Sequence, residues 1–244
     1  MKINTQQLIL EVTRRCNMAC EHCMRGDAQD MDMDIGLIDK ALSSVSDIGC
    51  MTFSGGEPTL NVPAIRYTLQ YCKEHEISVN SFYIVTNGKA ISEDFLICVL
   101  EWYCYCMDCY GEPDICGVAL SQDKFHENID HDNIALLQGL SFFRMEDKRT
   151  DWNILSLINE GRAKDLDPVV YSKHMAYNDT LEAGISGHGT EMFIESNLYI
   201  SCNGDVKTCC DTAYDNDAYT IGNLYAESLE DILIRECTAE TDIA

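Results

Sequence analysis

The chain is short of basic residues: 17 Lys and Arg stand against 41 Asp and Glu, a formal net charge of −24 with His neutral. That balance argues against duplex nucleic acid as a partner, because such binding rests on cations that neutralise phosphates. No apolar run approaches the ~20 residues of a membrane-spanning helix, so no membrane partner is expected. The N-terminal stretch MKINTQQLILEVTRRC has neither an uninterrupted apolar core nor a small-residue cleavage site, and no secretory signal is read there. Pro and Gly, at 4 and 15, are too few for a low-complexity chain. Cysteine is abundant, with 14 in 244 residues. A secreted disulfide framework normally occupies a shorter chain, so the expectation is a cytoplasmic protein whose thiols stay reduced, some as metal ligands.

Hydrophobic residues make up 46%, enough for one sizeable core. Residues 7–12 read as a buried strand, followed by a polar, Cys-rich loop to about residue 34. A helix is expected over 36–47, a strand over 50–53, a helix over 62–75 and a strand over 79–86. Ser92, with Glu93 and Asp94 behind it, reads as the N-cap of a helix running to about residue 105. Strands over 116–120 and 154–158 flank a helix over 130–140. Strand and helix in alternation, with polar turns after the strands, indicate a parallel α/β sheet whose ligands bind beyond the strands' carboxyl ends. After about residue 168 the pattern changes. Residues 190–210 read as a β-hairpin turning at Asn203-Gly204, and a last helix begins near Ser228. This segment is expected to be an appendage packed on the main sheet.

Chemistry concentrates after the first strand, at Cys16-x3-Cys20-x2-Cys23. Three close thiolates suit three irons of a [4Fe–4S] cluster, whose fourth iron then needs another ligand. Zinc would instead want four protein ligands, and His22 could be the fourth; the spacing leaves both open. Arg14, Arg15 and Arg25 flank the loop and could offset the charge of a thiolate-ligated cluster. Ser54-Gly55-Gly56-Glu57-Pro58 closes the second strand and Thr86-Asn87-Gly88 the third. Paired glycines there would let backbone carbonyls approach an ammonium group. Phe125-His126-Glu127 follows Asp123. His126 is a candidate for substrate contact or proton transfer, the alternative being a helix-start histidine on a solvated surface. Cys98, Cys104, Cys106 and Cys109 lie on or just after one helix and read as packing thiols.

With these motifs in this order, residues 7–165 resemble the radical S-adenosylmethionine (SAM) superfamily. The resemblance implies a partial (β/α)6 TIM-like barrel. It implies that Cys16, Cys20 and Cys23 bind a [4Fe–4S] cluster whose open iron is chelated by SAM. Gly55, Gly56, Glu57 and Pro58 would then contact the methionine ammonium, His22 the adenine, and Asn87, Ser121 and Asp123 the ribose or carboxylate. Ile158 would be the last adenine contact. Reduction would cleave SAM to methionine and a 5′-deoxyadenosyl radical that abstracts a substrate hydrogen, with reduced flavodoxin or ferredoxin as the donor.

The tail also carries a resemblance, to the auxiliary-cluster extensions called SPASM and twitch. It rests on Gly204-x4-Cys209, on Ile221-Gly222-Asn223-Leu224 and on the helix at Ser228-Leu229. The implied division is a core over 1–168 and a small hairpin-and-helix extension over 169–244. A second [4Fe–4S] cluster would use Cys202, Cys209, Cys210 and Cys237. Two departures stand out: no Cys lies well upstream of Gly204, where His188 is the nearest ligand type, and the later Cys run is reduced to Cys237. On a regular strand Cys209 and Cys210 would also point to opposite faces. The expected substrate is a ribosomal peptide or a small molecule. A leader-peptide recognition domain before Cys16 has no room and would act in trans. The alternatives are a glycyl-radical activating enzyme and a non-catalytic iron–sulfur or zinc protein using Cys16, Cys20, Cys23 and His22.

Overall fold

Residues 1–111, 116–147, 156–166, 170–172, 181–186 and 189–241 are described by the computed structural model. The chain begins with strand β1 (Lys2–Thr13), helix α1 (Ile35–Leu42), strand β2 (Val45–Gly55), helix α2 (Val62–Glu74), strand β3 (Ser78–Thr86) and helix α3 (Glu93–Tyr110). It continues through β4 (Gly117–Gln122), α4 (His131–Gln138), β5 (Phe143–Asp147), β6 (Ser156–Ile158), β7 (Val170–Ser172) and β8 (Ala183–Ser186). The last elements are β9 (Glu191–Ile200), β10 (Asp205–Lys207), β11 (Thr220–Asn223) and α5 (Leu229–Thr241).

One mixed sheet runs in the order β11-β10-β9-β1-β2-β3-β4-β5, with β8 also on β9. Pairing is parallel from β9 through β1, β2, β3 and β4 to β5. The turns after these strands therefore gather at one end of the sheet. Capping and burial explain the helices. Asp34 accepts the Gly36 N–H at 2.8 Å, and Ser92 accepts the Phe95 N–H at 3.1 Å, each satisfying a donor the helix itself leaves orphaned. Trp102 is fully buried, donates Nε1–H to the Ile65 carbonyl at 3.1 Å, and meets the Phe53 ring edge-on at 5.3 Å. Side chains of this kind contribute about 1.5–3 kcal/mol each by burial. Cys98 and Cys106 lie fully buried in the same core, while Cys104 is exposed.

Several expectations need correction. The helix expected over 36–47 ends at Leu42, and β2 starts at Val45 rather than at Cys50. Val45 and Ile48 are buried and β-branched, and they pair with Ile3 and Thr5 of β1. β5 was not anticipated; its parallel pairing with β4 supplies a strand that the mixed sequence FRMED hides. β6 pairs with β7 in a separate two-stranded sheet, while residues 154–155 of the expected strand lie outside the described residues. The hairpin is present as β9 and β10. It is not an appendage, since β9 runs parallel to β1 and continues the main sheet. The 168/169 division and His188 also lie outside the described residues.

Candidate functional site

The cysteine loop leaves β1 at Thr13 and is fastened from below. Gly56 N–H donates to the Thr13 carbonyl and Glu57 N–H to the Arg15 carbonyl, both at 2.9 Å. A Cβ on Gly55 would sit 2.2 Å from the Thr13 oxygen, and one on Gly56 2.4 Å from the Arg15 oxygen. Gly55 also has φ +150°. The paired glycines thus serve first to let the β2 turn press against the start of the cysteine loop, a reason different from ligand approach. On the far side, Arg162 N–H donates to the Cys23 carbonyl at 2.9 Å.

Glu57 ties the two motif turns together. It is 1% exposed, and its Oε1 accepts from the Thr59 N–H, the Thr59 hydroxyl and the Thr86 hydroxyl at 3.2, 2.6 and 2.7 Å. Its Oε2 accepts the Asn87 N–H at 2.8 Å. Burial pushes its carboxyl up against these donors. Asn87 in turn donates Nδ2–H to Asn17 Oδ1 at 2.8 Å and lies 3.8 Å from Cys16 Sγ.

Asp123, after β4, holds two histidines. His22 Nε2 is 3.0 Å from Oδ2 and His126 Nδ1 is 2.9 Å from Oδ1, and the Phe125 N–H also reaches Oδ1 at 2.8 Å. Burial opposes the ionised carboxylate, but the bonds from His126 and His22 outweigh it and hold Asp123 well below the usual range. His22 stacks on Phe125 at 4.9 Å. His126 is neither at a helix start nor solvated: α4 begins at His131 and the His126 side chain is 8% exposed.

These groups line one cavity of about 370 Å³, together with Cys16, Cys20, Cys23, Pro58, Ser121 and Ile158. Burial raises the thiols of Cys16 and Cys20, the latter to about 11. The donor set fits a cluster better than a single ion. Thiolates on one tetrahedral zinc lie about 3.8 Å apart. The three sulfurs are not all within 4.8 Å of one another; among the described residues only His22, Asp123 and His126 form such a group. His22 Nε2 faces Asp123, while its Nδ1 is buried with no hydrogen-bond partner among the described residues.

The flanking arginines divide. Arg15 binds Asp32 in a bidentate pair at 2.9 and 2.8 Å. Arg14, 5% exposed, pairs with Glu11 at 3.0 Å and donates to Asn203 Oδ1 at 3.0 Å. Arg25 donates to the Thr212 carbonyl at 2.8 Å and lies over the Tyr199 ring at 5.1 Å. Neither Arg14's nor Arg25's contact with the C-terminal strands was legible beforehand.

Of the C-terminal cysteines, Cys202 is 4% exposed; its thiol donates to the Glu11 carbonyl and its N–H to Glu11 Oε2, both at 2.8 Å. β10 ends at Lys207. The strand is therefore broken before Cys209 and Cys210, which removes the geometric objection to both serving one cluster. Cys209 accepts the Asp211 N–H at 3.4 Å, and burial pushes the Cys210 thiol up to about 12. Cys237 is half-buried on α5.

The family profile of the radical SAM superfamily matches residues 10–97, and that of the SPASM iron–sulfur cluster-binding domain matches residues 192–241. These matches make residues 10–97 similar to radical SAM proteins and residues 192–241 similar to SPASM-type iron–sulfur domains. A curated relative is the uncharacterized protein MJ0907 of Methanocaldococcus jannaschii, 33% identical over 92 residues. That match covers 36% of this chain and 32% of the relative, so the chain spans about a third of the relative's length. Among solved structures, native anSMEcpe with bound AdoMet and the Cp18Cys peptide is similar at a TM-score of 0.54 and 14% identity. It is covered for 94% of this chain and 80% of its own. His-tagged anSMEcpe with bound AdoMet gives the same score over 77% of its length. These likenesses establish the α/β radical-SAM-like fold.

Proposed function

We propose that this chain is a radical SAM enzyme that takes a hydrogen from a peptide substrate. One observation carries the reading: Cys16, Cys20 and Cys23, the Gly55–Pro58 turn, Asn87 and the Asp123–histidine group all face one cavity. A [4Fe–4S] cluster on the three cysteines supplies, when bound, the electron that cleaves SAM to methionine and a 5′-deoxyadenosyl radical. The chain's own residues hold and orient. Thr13, Arg15 and Glu57 fix the backbone of the glycine turn, leaving its edge free to meet the methionine ammonium. Asn87 stays within reach of the cluster loop through Asn17. Asp123 orients His22 beside the adenine position, and Ile158 also lines the cavity. Ser121 lines the cavity too, for the ribose or carboxylate. His126 gives Nδ1 to Asp123, so Nε2 is its nitrogen left to accept a proton during turnover.

The peptide assignment is supported by the peptide named with anSMEcpe and by a surface whose net charge of −24 would attract a basic segment. In this reading the core spans 1–168 as a partial (β/α)6 barrel, and 169–244 is the SPASM-type extension. A second cluster would draw on Cys209 and Cys210. A reduced flavodoxin or ferredoxin in the cytoplasm would supply the electron. The test is anaerobic reconstitution with iron and sulfide, addition of SAM and dithionite, and assay of 5′-deoxyadenosine. Product from the wild type and none from Cys20→Ala supports the reading. A wild type that holds a full cluster yet neither binds nor cleaves SAM overturns it.

A further inference from the structure

Among the described residues, the buried charges lean basic while the sequence as a whole is strongly acidic. Acidic residues outnumber basic ones 41 to 17. Yet the buried charged residues among those described are Arg14, Arg25 and Lys207 against Glu11 and Glu57. Glu57 belongs to the motif turns and has its own donors. The other four lie together along the seam between the cysteine loop and the C-terminal strands. Arg14 pairs with Glu11 at 3.0 Å and lies over the Tyr214 ring at 4.6 Å. Lys207 pairs in register with Tyr199, donates to the Asn216 carbonyl at 2.7 Å, and has the exposed Asp217 carboxylate at 3.9 Å.

Glu11 thus answers Arg14, and Asp217 answers Lys207. Arg25 has only neutral partners at bonding distance: the Thr212 carbonyl, the Ser54 hydroxyl at 3.4 Å and the Tyr199 ring face. No carboxylate among the described residues forms an ion pair with it, and Glu11 acts on it only from beyond bonding distance. A buried cation left in this state is costly unless an anion joins it. Arg25 lines the same cavity as Cys16, Cys20 and Cys23 and stands two residues beyond Cys23. Three thiolates on an oxidised [4Fe–4S] core leave that group net negative, and one further electron makes it more so. A fixed cation beside it favours the reduced state, because net charge and its surroundings set the potential of such clusters.

We propose that Arg25 is the counter-charge of the cysteine-loop cluster, raising its reduction potential, and that the C-terminal segment holds it in place through Thr212, in the loop after β10, and Tyr199 on β9. The inference rests on the radical SAM reading. It makes the tail a determinant of electron uptake at the first cluster, whether or not the tail carries a second one. Arg25 acts through charge and is a positioning residue.

The test is a redox titration of the full reconstituted chain without SAM, followed by electron paramagnetic resonance. The loop cluster is identified as the signal lost in Cys20→Ala. Arg25→Gln is expected to move the midpoint to more negative values with iron content kept, and Arg25→Lys to keep it near wild type. Glu11→Gln removes the only buried anion of the seam among the described residues and is expected to move the midpoint the opposite way. An unshifted midpoint in an iron-replete Arg25→Gln protein overturns the proposal. So does Arg25→Lys shifting as far as Arg25→Gln, since charge would then not be the cause. An unshifted midpoint with weakened SAM binding would instead assign Arg25 to the SAM carboxylate, and also overturns it. If Arg25→Gln fails to fold, Arg25→Met, of similar length and without charge, takes its place with the same expected and overturning outcomes. A wild type that forms no [4Fe–4S] spectrum overturns the underlying reading, which is distinct from a cluster with an unmoved midpoint.

Discussion

Glu57 Oε2 accepts the backbone N–H of Asn87 at 2.8 Å, joining a turn after β2 to a turn after β3 across 30 residues of sequence. Glu57 is therefore the brace of the site, with both oxygens engaged. Gln at this position would turn an amide N–H toward a donor. Glu57→Gln is expected to lower stability by about 1–3 kcal/mol, the cost of a buried polar group left unmatched, and to weaken SAM binding. Urea unfolding and a SAM-binding titration of the same protein check this.

The glycine pair makes a second, purely steric prediction. Gly56→Ala places a methyl 2.4 Å from the Arg15 oxygen, and Gly55→Ala also strains φ +150°. Each should destabilise by more than about 1 kcal/mol and impair iron incorporation, because the base of the cysteine loop must move. Thermal unfolding and iron analysis after reconstitution read both effects. Normal iron content in both variants would mean that the contact is relaxed at no cost.

The C-terminal cysteines are expected to separate into two kinds. Cys202→Ala should leave bound iron unchanged, because its thiol is committed to the Glu11 carbonyl. Replacing Cys209 and Cys210 together should lower iron from about eight to about four per chain if the second cluster forms. Unchanged iron in that double variant sinks the second cluster; loss of iron in Cys202→Ala returns Cys202 to the ligand set.

Asp123 gives a pH dependence with a definite sign. Its folded carboxyl lies below the ordinary value of about 3.9, so the stabilisation it brings is complete above that value and is lost as pH falls toward its folded value. Asp123→Asn should therefore lower stability at neutral pH by about 1–3 kcal/mol. It should also flatten the loss of stability on acidification below about pH 4. Equilibrium unfolding at several pH values distinguishes this from an effect independent of pH.

The motif residues were legible because their chemistry is local. A Cys-x3-Cys-x2-Cys loop and two polar turns at strand ends can be read from spacing and place. Thr86, Asn87 and Glu57 lay in those turns, but their mutual bonding was hidden, since it depends on two parallel strands being neighbours. β5 was missed because FRMED, although Phe143 to Glu146 alternate, is only five residues long and ends in two acids; its place comes from pairing with β4. The early start of β2 was missed because Val45 continues the helical spacing of Leu37, Ile38 and Leu42; the buried slot beside Ile3 decides for strand. Arg25, Tyr199 and Thr212 gave no sign of meeting, being brought together only by the β9–β1 pairing.

That pairing also bears on how the chain comes to be folded. β1 is made first, yet one of its two neighbours, β9, begins 178 residues after β1 ends. Until residues 191–200 arrive, Lys2–Thr13 presents a bare strand edge, and the stretch QLILEV at its heart is apolar. Contacts of such long range slow folding, and unpaired edges invite association with other chains. A chain cut near residue 168 would stay in that state, with the arginines of the seam stripped of their C-terminal partners. Expression of the core alone should accordingly give aggregated protein, and supplying residues 181–244 as a separate chain should recover soluble material.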